Sequence, residues 1–264
     1  MIRVGIGGWT YEPWRGSFYP KGLRQADELN FASRAVTSIE INGTFYGSQK
    51  PESFRKWHRE TPDGFVFALK GPRFATNRRE LSGAGESIER FIKSGIVELG
   101  DKLGPINWQF AKTKAFDPDD FGAFLALLPK EAEGVALRHV VEVRHESFRN
   151  PDFIALLKKH EVANVVADSE NFPQIADVTA GFVYARLQAA DETIETGYAP
   201  KALAAWAERA RLWEAGGEPD DLERASDKKA AKKKREIFVY MINGAKIRAP
   251  AAAMALIETL GQKA

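Results

Sequence analysis

No cysteine occurs among the 264 residues. Disulfides and thiolate metal sites are therefore excluded, which suits a reducing compartment such as the cytoplasm. Histidine is also scarce, with four in the whole chain, so a metal centre built on several imidazoles has little to draw on. No apolar run approaches the roughly 20 residues of a membrane span. The opening MIRVGIGGWTYEPW lacks a basic segment followed by a long apolar stretch, so a soluble, cytoplasmic protein is expected. Excess charge of one sign is missing as well: Lys plus Arg is 38 and Asp plus Glu is 36, a net charge of +2. So small an excess gives no global case for a nucleic-acid partner. A Gly-rich dinucleotide fingerprint is absent, because Gly5-Ile-Gly-Gly8 is not GxGxxG.

What the chain does contain is a recurring alternation of short β-branched or apolar runs with helical patterns. The strand candidates are Ile2–Gly7, Thr37–Asn42, Phe65–Lys70, Pro105–Phe110, His139–Arg144, Ala163–Asp168, Gly181–Arg186 and Ile237–Asn243. The helix candidates are Arg24–Ala35, Glu52–Arg59, Ser87–Leu99, Asp117–Leu128, Pro151–His160, a short one near Phe172–Ala176, Pro200–Ala215 and Pro250–Leu260. Pro51, Pro118, Pro151 and Pro200 supply helix-start signals. The pattern predicts an α/β protein, a single (β/α)8 TIM barrel over residues 1–264, with a doubly wound open sheet as the alternative. One segment departs from it. Residues 216–235 run acidic and then basic before the eighth strand, and read as a charged insertion, either a solvated helix or a loop. Its 228–235 basic run is also a candidate polyanion contact, although no aromatics interleave the lysines.

In a barrel both faces of each strand are covered, so the polar half of an alternating strand faces the barrel axis. In SIEIN, Ile39 and Ile41 then face the helices while Glu40 and Asn42 face inward. Val141 and Val143 alternate in the same way with Glu142 and Arg144. Lys70, Gln109, Asp168, Arg186 with Gln188, and Asn243 close further strands, and Trp9 follows the first. Active sites of such barrels lie at the C-terminal strand ends. The expected catalytic set is therefore Glu40, Glu142, Asp168, Lys70 and His145. The expected substrate-binding set is Trp9, Asn42, Thr44, Tyr46, Gln109, Arg144, Arg186, Gln188 and Asn243. The loop after the eighth strand adds Gly244, Lys246 and Arg248 as a phosphate-binding candidate. The charges also balance closely enough to form a self-neutralising ion-pair plug. The aromatics Trp9, Tyr11, Trp14, Phe18 and Tyr19, with Phe45 and Tyr46, read as a hydrophobic cap or as a stacking wall for a sugar or base.

The stretches GGWTYEPWRGSFYPKGL, SIEINGTFYGSQKPESFRKWHRETPDGFVFALKGPRFATNRREL, LGDKLGPINWQF, VEVRHESF, VVADS, FVYARLQ and FVYMINGAK follow in that order. They resemble the DUF72 (YecE-like) family of TIM barrels across nearly the whole chain. The resemblance implies the fold, which is similar to that of endonuclease IV and xylose isomerase, and carries no established activity. It implies site positions at Trp9, Glu40, Asn42, Thr44, Tyr46, Lys70, Glu142, Arg144, His145, Asp168 and Arg186. The chain departs from the usual pattern at Gln109-Phe-Ala-Lys112, Thr76-Asn77, Arg186-Leu-Gln-Ala189 and Met241-Ile-Asn243. Two histidines of that pattern are thereby absent.

These readings point to a metal-independent acid/base enzyme (a hydrolase, lyase or isomerase) acting on a small anionic or polyhydroxylated substrate. Arg144 and Arg186 would hold the anion bidentately, and Glu40 or Glu142 would move a proton. No cofactor is expected. Mg or Mn among Glu40, Glu142, Asp168 and His145 is opposed by Lys70, Arg144 and Arg186. Lys70 as an imine-forming lysine is disfavoured, since nearby carboxylates would keep it protonated. The alternatives are a nucleic-acid-binding or processing protein and a non-catalytic metabolite-binding module. No membrane partner is expected, and nothing in the sequence sets the oligomeric state.

Overall fold

The computed structural model describes residues 1–242 and 244–263. Eight parallel strands close a barrel: β1 (Ile2–Gly7), β2 (Ser38–Ile41), β3 (Val66–Lys70), β4 (Leu103–Gln109), β5 (His139–Glu142), β6 (Ala163–Asp168), β7 (Phe182–Leu187) and β8 (Glu236–Met241). Each pairs with its neighbours in sequence, and β8 closes on β1. The (β/α)8 reading is therefore correct, and every predicted strand is present to within a few residues at its ends. Asn243, placed at the end of the eighth strand by the sequence, lies outside the described residues.

Helices form where the start signals stand. Asp117 accepts from the Asp119 and Asp120 amides ahead of Pro118–Ala126, and Asn150 accepts from the Asp152 amide ahead of Pro151–His160. In both, proline occupies the first turn, where its missing N–H is no loss. Pro51–Glu60, Pro200–Glu214 and Ala249–Thr259 also carry a proline in the first turn. Three expectations are corrected. Ser87–Leu99 is not one helix: an α-helix over Gly85–Ile92 ends before Gly95, whose φ is +98°, and a 3-10 helix over Ile96–Lys102 follows. Arg24–Ala35 holds only a short α-helix, Glu28–Ala32, after a 3-10 turn. Phe172–Ala176 is not a helix at all.

The absence of that helix explains the charged insertion. Residues 216–235 are irregular and pack against the connection between β6 and β7. Asp177 accepts from the Ala225 and Ser226 amides at 2.7 and 3.1 Å, and the Ala176 amide donates to the Glu223 carbonyl. Leu222 and Glu218 are buried. The segment is thus a strap laid where a sixth barrel helix would sit, rather than a solvated tail. Its final residues feed the N-terminal end of β8, the opposite end of the barrel from the strand C-termini. There Lys232, Lys233 and Lys234 are exposed, while Arg235 is buried against the Gly217 and Ala231 carbonyls.

The main apolar core lies between strands and helices. A second, smaller core fills the barrel with Val66, Ala68, Val140, Val165, Phe182, Tyr184, Phe238 and Tyr240. Gly5 admits the close approach this requires: a Cβ there would sit 2.1 Å from the Ser38 carbonyl oxygen. Below, Glu236 pairs with Arg3 at 2.6 Å and with Arg138, closing the bottom of the barrel. Above, the apolar filling gives way to charge.

Candidate functional site

The inward face of β2, β4, β5 and β7 ends in one buried ion network. Arg186 bridges both carboxylates: one guanidinium nitrogen donates to Glu40 Oε1 at 2.9 Å, and the other donates to Glu142 Oε2. Tyr184 donates to Glu40 Oε2 at 2.6 Å, and the Asn107 amide lies 3.4 Å from Glu40 and 3.3 Å from Glu142. Arg144 donates twice to Glu142 Oε1, at 2.9 and 2.6 Å. Glu40, Glu142 and Arg186 are at most 1% exposed. An unpaired ion so placed would cost several kcal/mol, so the chain meets it with reciprocal pairing. Burial pushes the Glu142 carboxyl up, but Arg186, Arg144 and Lys70 outweigh burial and bring it to about 2. Glu142 therefore serves as an ionised anchor for the arginines, and Glu40 pairs with Arg186 beside it. The expectation that Glu142 moves a proton is not what this geometry favours, since it has no proton to give near neutral pH and little affinity for one.

Above the network opens a cavity of about 310 Å³, lined by Gly7, Asn42, Phe45, Tyr46, Lys70, Gln109, Arg144, Arg186, Ile242 and Lys246. Its charged lining residues are all cations, because the two carboxylates lie beneath Arg186. Lys70 sits with Nζ against Gln109 Oε1 and 4.3 Å from the Phe45 ring centroid. Burial pushes its amine down, Arg186 adds to this, and the attraction of Glu142 and Glu40 offsets only part, leaving it at about 8. Lys246 is lowered by burial and lies over the Tyr11 ring at 4.5 Å. A second cleft of about 300 Å³ shares Gly7, Asn42 and Lys246 with the first and adds Trp9, Gln49 and Trp57. Trp9 meets Trp57 edge to face at 5.2 Å.

The structure brings together Glu40, Asn42, Tyr46, Lys70, Gln109, Glu142, Arg144, Arg186 and Lys246, with Trp9 in the adjoining cleft. It does not bring in six others. Asp168 has the wrong parity: β6 pairs Ala167 with Arg186 and Asp168 with Leu187, so Asp168 faces away from the axis. It accepts from the Tyr198 hydroxyl at 3.0 Å, and burial raises its carboxyl. His145 caps the short turn Glu146–Phe148 through the Ser147 amide. Thr44 donates to the Ile41 and Lys70 carbonyls and accepts from the Lys70 amide, so its hydroxyl fixes the strand end rather than facing the cavity. Arg248 donates to the Glu192 carbonyl, which turns it away from the phosphate role. Gln188 and Gly244 pack beside one another outside the cavity lining. The Mg or Mn ligand set is accordingly not assembled, and among the described residues no three His, Asp or Glu side chains are grouped to hold a metal ion. His139 is buried between the Trp108 indole N–H and the Pro129 carbonyl, and burial lowers it to about 4, so it is a neutral core residue.

Asn107 and Tyr184 were missed, although the signal for both was present. Asn107 shares parity with Gln109 in the INWQ run, and Tyr184 shares parity with Arg186.

Known proteins fit this architecture. The chain is 28% identical over 151 residues to the UPF0759 protein YecE of Escherichia coli K12, covering 56% of this chain and 50% of that one. It is 27% identical over 115 residues to the UPF0759 protein YunF of Bacillus subtilis 168, covering 42% and 40%. These matches span about half or less of the length of those relatives. A crystal structure of a DUF72 family protein from Thermotoga maritima superposes with a TM-score of 0.74 at 22% identity, over 99% of this chain and 100% of that one. Among the described residues no helix is long and apolar enough to cross a membrane. The model of the family described as "Protein of unknown function DUF72" matches residues 3–264, and the chain belongs to that family.

Proposed function

We propose that the barrel mouth binds a small anionic substrate and performs acid/base chemistry on it, as a hydrolase, lyase or isomerase. The observation that carries this reading is the one-signed lining of the 310 Å³ cavity: Lys70, Arg144, Arg186 and Lys246 face it, with both neighbouring carboxylates beneath Arg186. A carboxylate or phosphate entering there meets guanidinium and ammonium donors already held in place by the anchors, so little is lost in ordering them. Asn42, Gln109 and the exposed Tyr46 supply neutral hydrogen-bonding groups for hydroxyls. The proton-transfer group is Lys70, whose lowered amine titrates near the working pH. Glu40 and Glu142 position Arg186 and Arg144.

Thermal denaturation of the full chain with phosphate, phosphate esters and small carboxylates, at constant ionic strength, tests the reading. Stabilisation by at least one of these anions, lost in Arg144→Met and Lys246→Met, supports it. Equal shifts in parent and variants, or none, would remove it.

A further inference from the structure

We propose that the Lys70 amine is a nucleophile that captures the carbonyl carbon of a small oxo acid or oxo phosphate as an imine, while Arg144, Arg186 and Lys246 hold the anionic group. The proposal rests on the anion-site reading and deepens it by naming the substrate class. Lys70 ends β3 on the cavity wall. Its Thr44-bonded backbone fixes where the side chain starts. Its amine touches a neutral amide, Gln109, and an aromatic face, Phe45. Among the described residues no carboxylate oxygen lies within 4.0 Å of Nζ, because Glu40 and Glu142 are engaged by Arg186 and Arg144. The carboxylates expected to keep Lys70 protonated are therefore paired with arginines, and the Arg186 and Arg144 guanidiniums also act on its amine. The groups acting on Lys70 are Arg186, Glu142, Glu40 and Arg144, and together with burial they bring it to about 8. Crowding by cations and loss of water are the conditions under which a lysine keeps a free lone pair near neutrality.

The step balances without any redox partner. The amine lone pair attacks the carbonyl carbon, and the carbonyl electron pair moves to oxygen, which takes up a proton. Nitrogen loses a proton to give the carbinolamine. A second proton on that oxygen lets it leave as water, and the nitrogen lone pair closes the C=N bond. The cavity opens to solvent beside the exposed Tyr46, so water can exchange these protons.

Reductive trapping tests this. The full chain is incubated with glyoxylate, pyruvate or dihydroxyacetone phosphate and cyanoborohydride, then digested and weighed. Hydride reaches the imine carbon and leaves a secondary amine whose added mass is the probe less one oxygen. We expect Lys70 to be labelled by at least one probe roughly ten times faster or more than the exposed Lys93, with a half-maximal rate near pH 8. Phosphate should protect it, and Arg144→Met should slow it. Labelling of Lys70 no faster than of Lys93 with all three probes would overturn the proposal. In that case retained thermal stabilisation by anions would leave the anion site standing, whereas loss of both would remove the two readings together.

Discussion

Glu142 and Arg144 form one ion pair, yet their removal has unequal consequences. Glu142→Gln leaves Arg186 and Arg144 short of a buried counter-charge and should destabilise the fold by about 3–5 kcal/mol. Arg144→Met leaves Glu142 still bound by Arg186 and should cost less, about 1.5–3 kcal/mol. Equilibrium denaturation at neutral pH ranks the two, and the opposite order would contradict the network described. Lys70 gives a pH signature. The unfolded chain holds its proton up to 10.5, and the folded chain only to about 8. Between these values the unfolded state binds more protons, so the Lys70 contribution to stability rises with pH and is lost as pH falls through 8. Lys70→Met should therefore gain on the parent by up to about 3 kcal/mol in going from pH 10.5 to pH 7. Paired denaturation curves across that range check the sign, and a flat difference would refute it.

Elements differ in how visible they were before the structure. The strands were legible because each repeats the same two-residue alternation with a buried outer face, and helix starts were legible where Asp117 or Asn150 precedes proline. Parity was also written in the sequence: it admits Asn107 and Tyr184 and excludes Asp168, whose strand turns Ala163, Val165 and Ala167 inward. Thr44 and His145 were not separable from ligand-facing residues, since a hydroxyl or imidazole that holds local backbone looks the same in one dimension. The helix expected at Phe172–Ala176 failed for a non-local reason: a strap about fifty residues later covers that flank. Asp177 is the fastening. Asp177→Ala leaves the Ala225 and Ser226 amides without their acceptor and should cost about 1–3 kcal/mol. Trypsin should then cut between Lys228 and Arg235 markedly faster than in the parent, as read by mass spectrometry. An unchanged rate would mean that the strap is held by its apolar contacts alone.

At the scale of the molecule, a net charge of +2 conceals two separated cationic regions. One is the barrel mouth, enclosed and anchored by buried carboxylates. The other is Lys232–Lys234, exposed at the opposite end. The function proposed belongs to the first. A selenate soak of crystals of the full chain, read by anomalous scattering, separates the regions directly. The account predicts the strongest anomalous peak inside the cavity, within hydrogen-bond distance of Arg144 and of Lys70 or Lys246. An empty cavity in crystals that carry selenate elsewhere would contradict it.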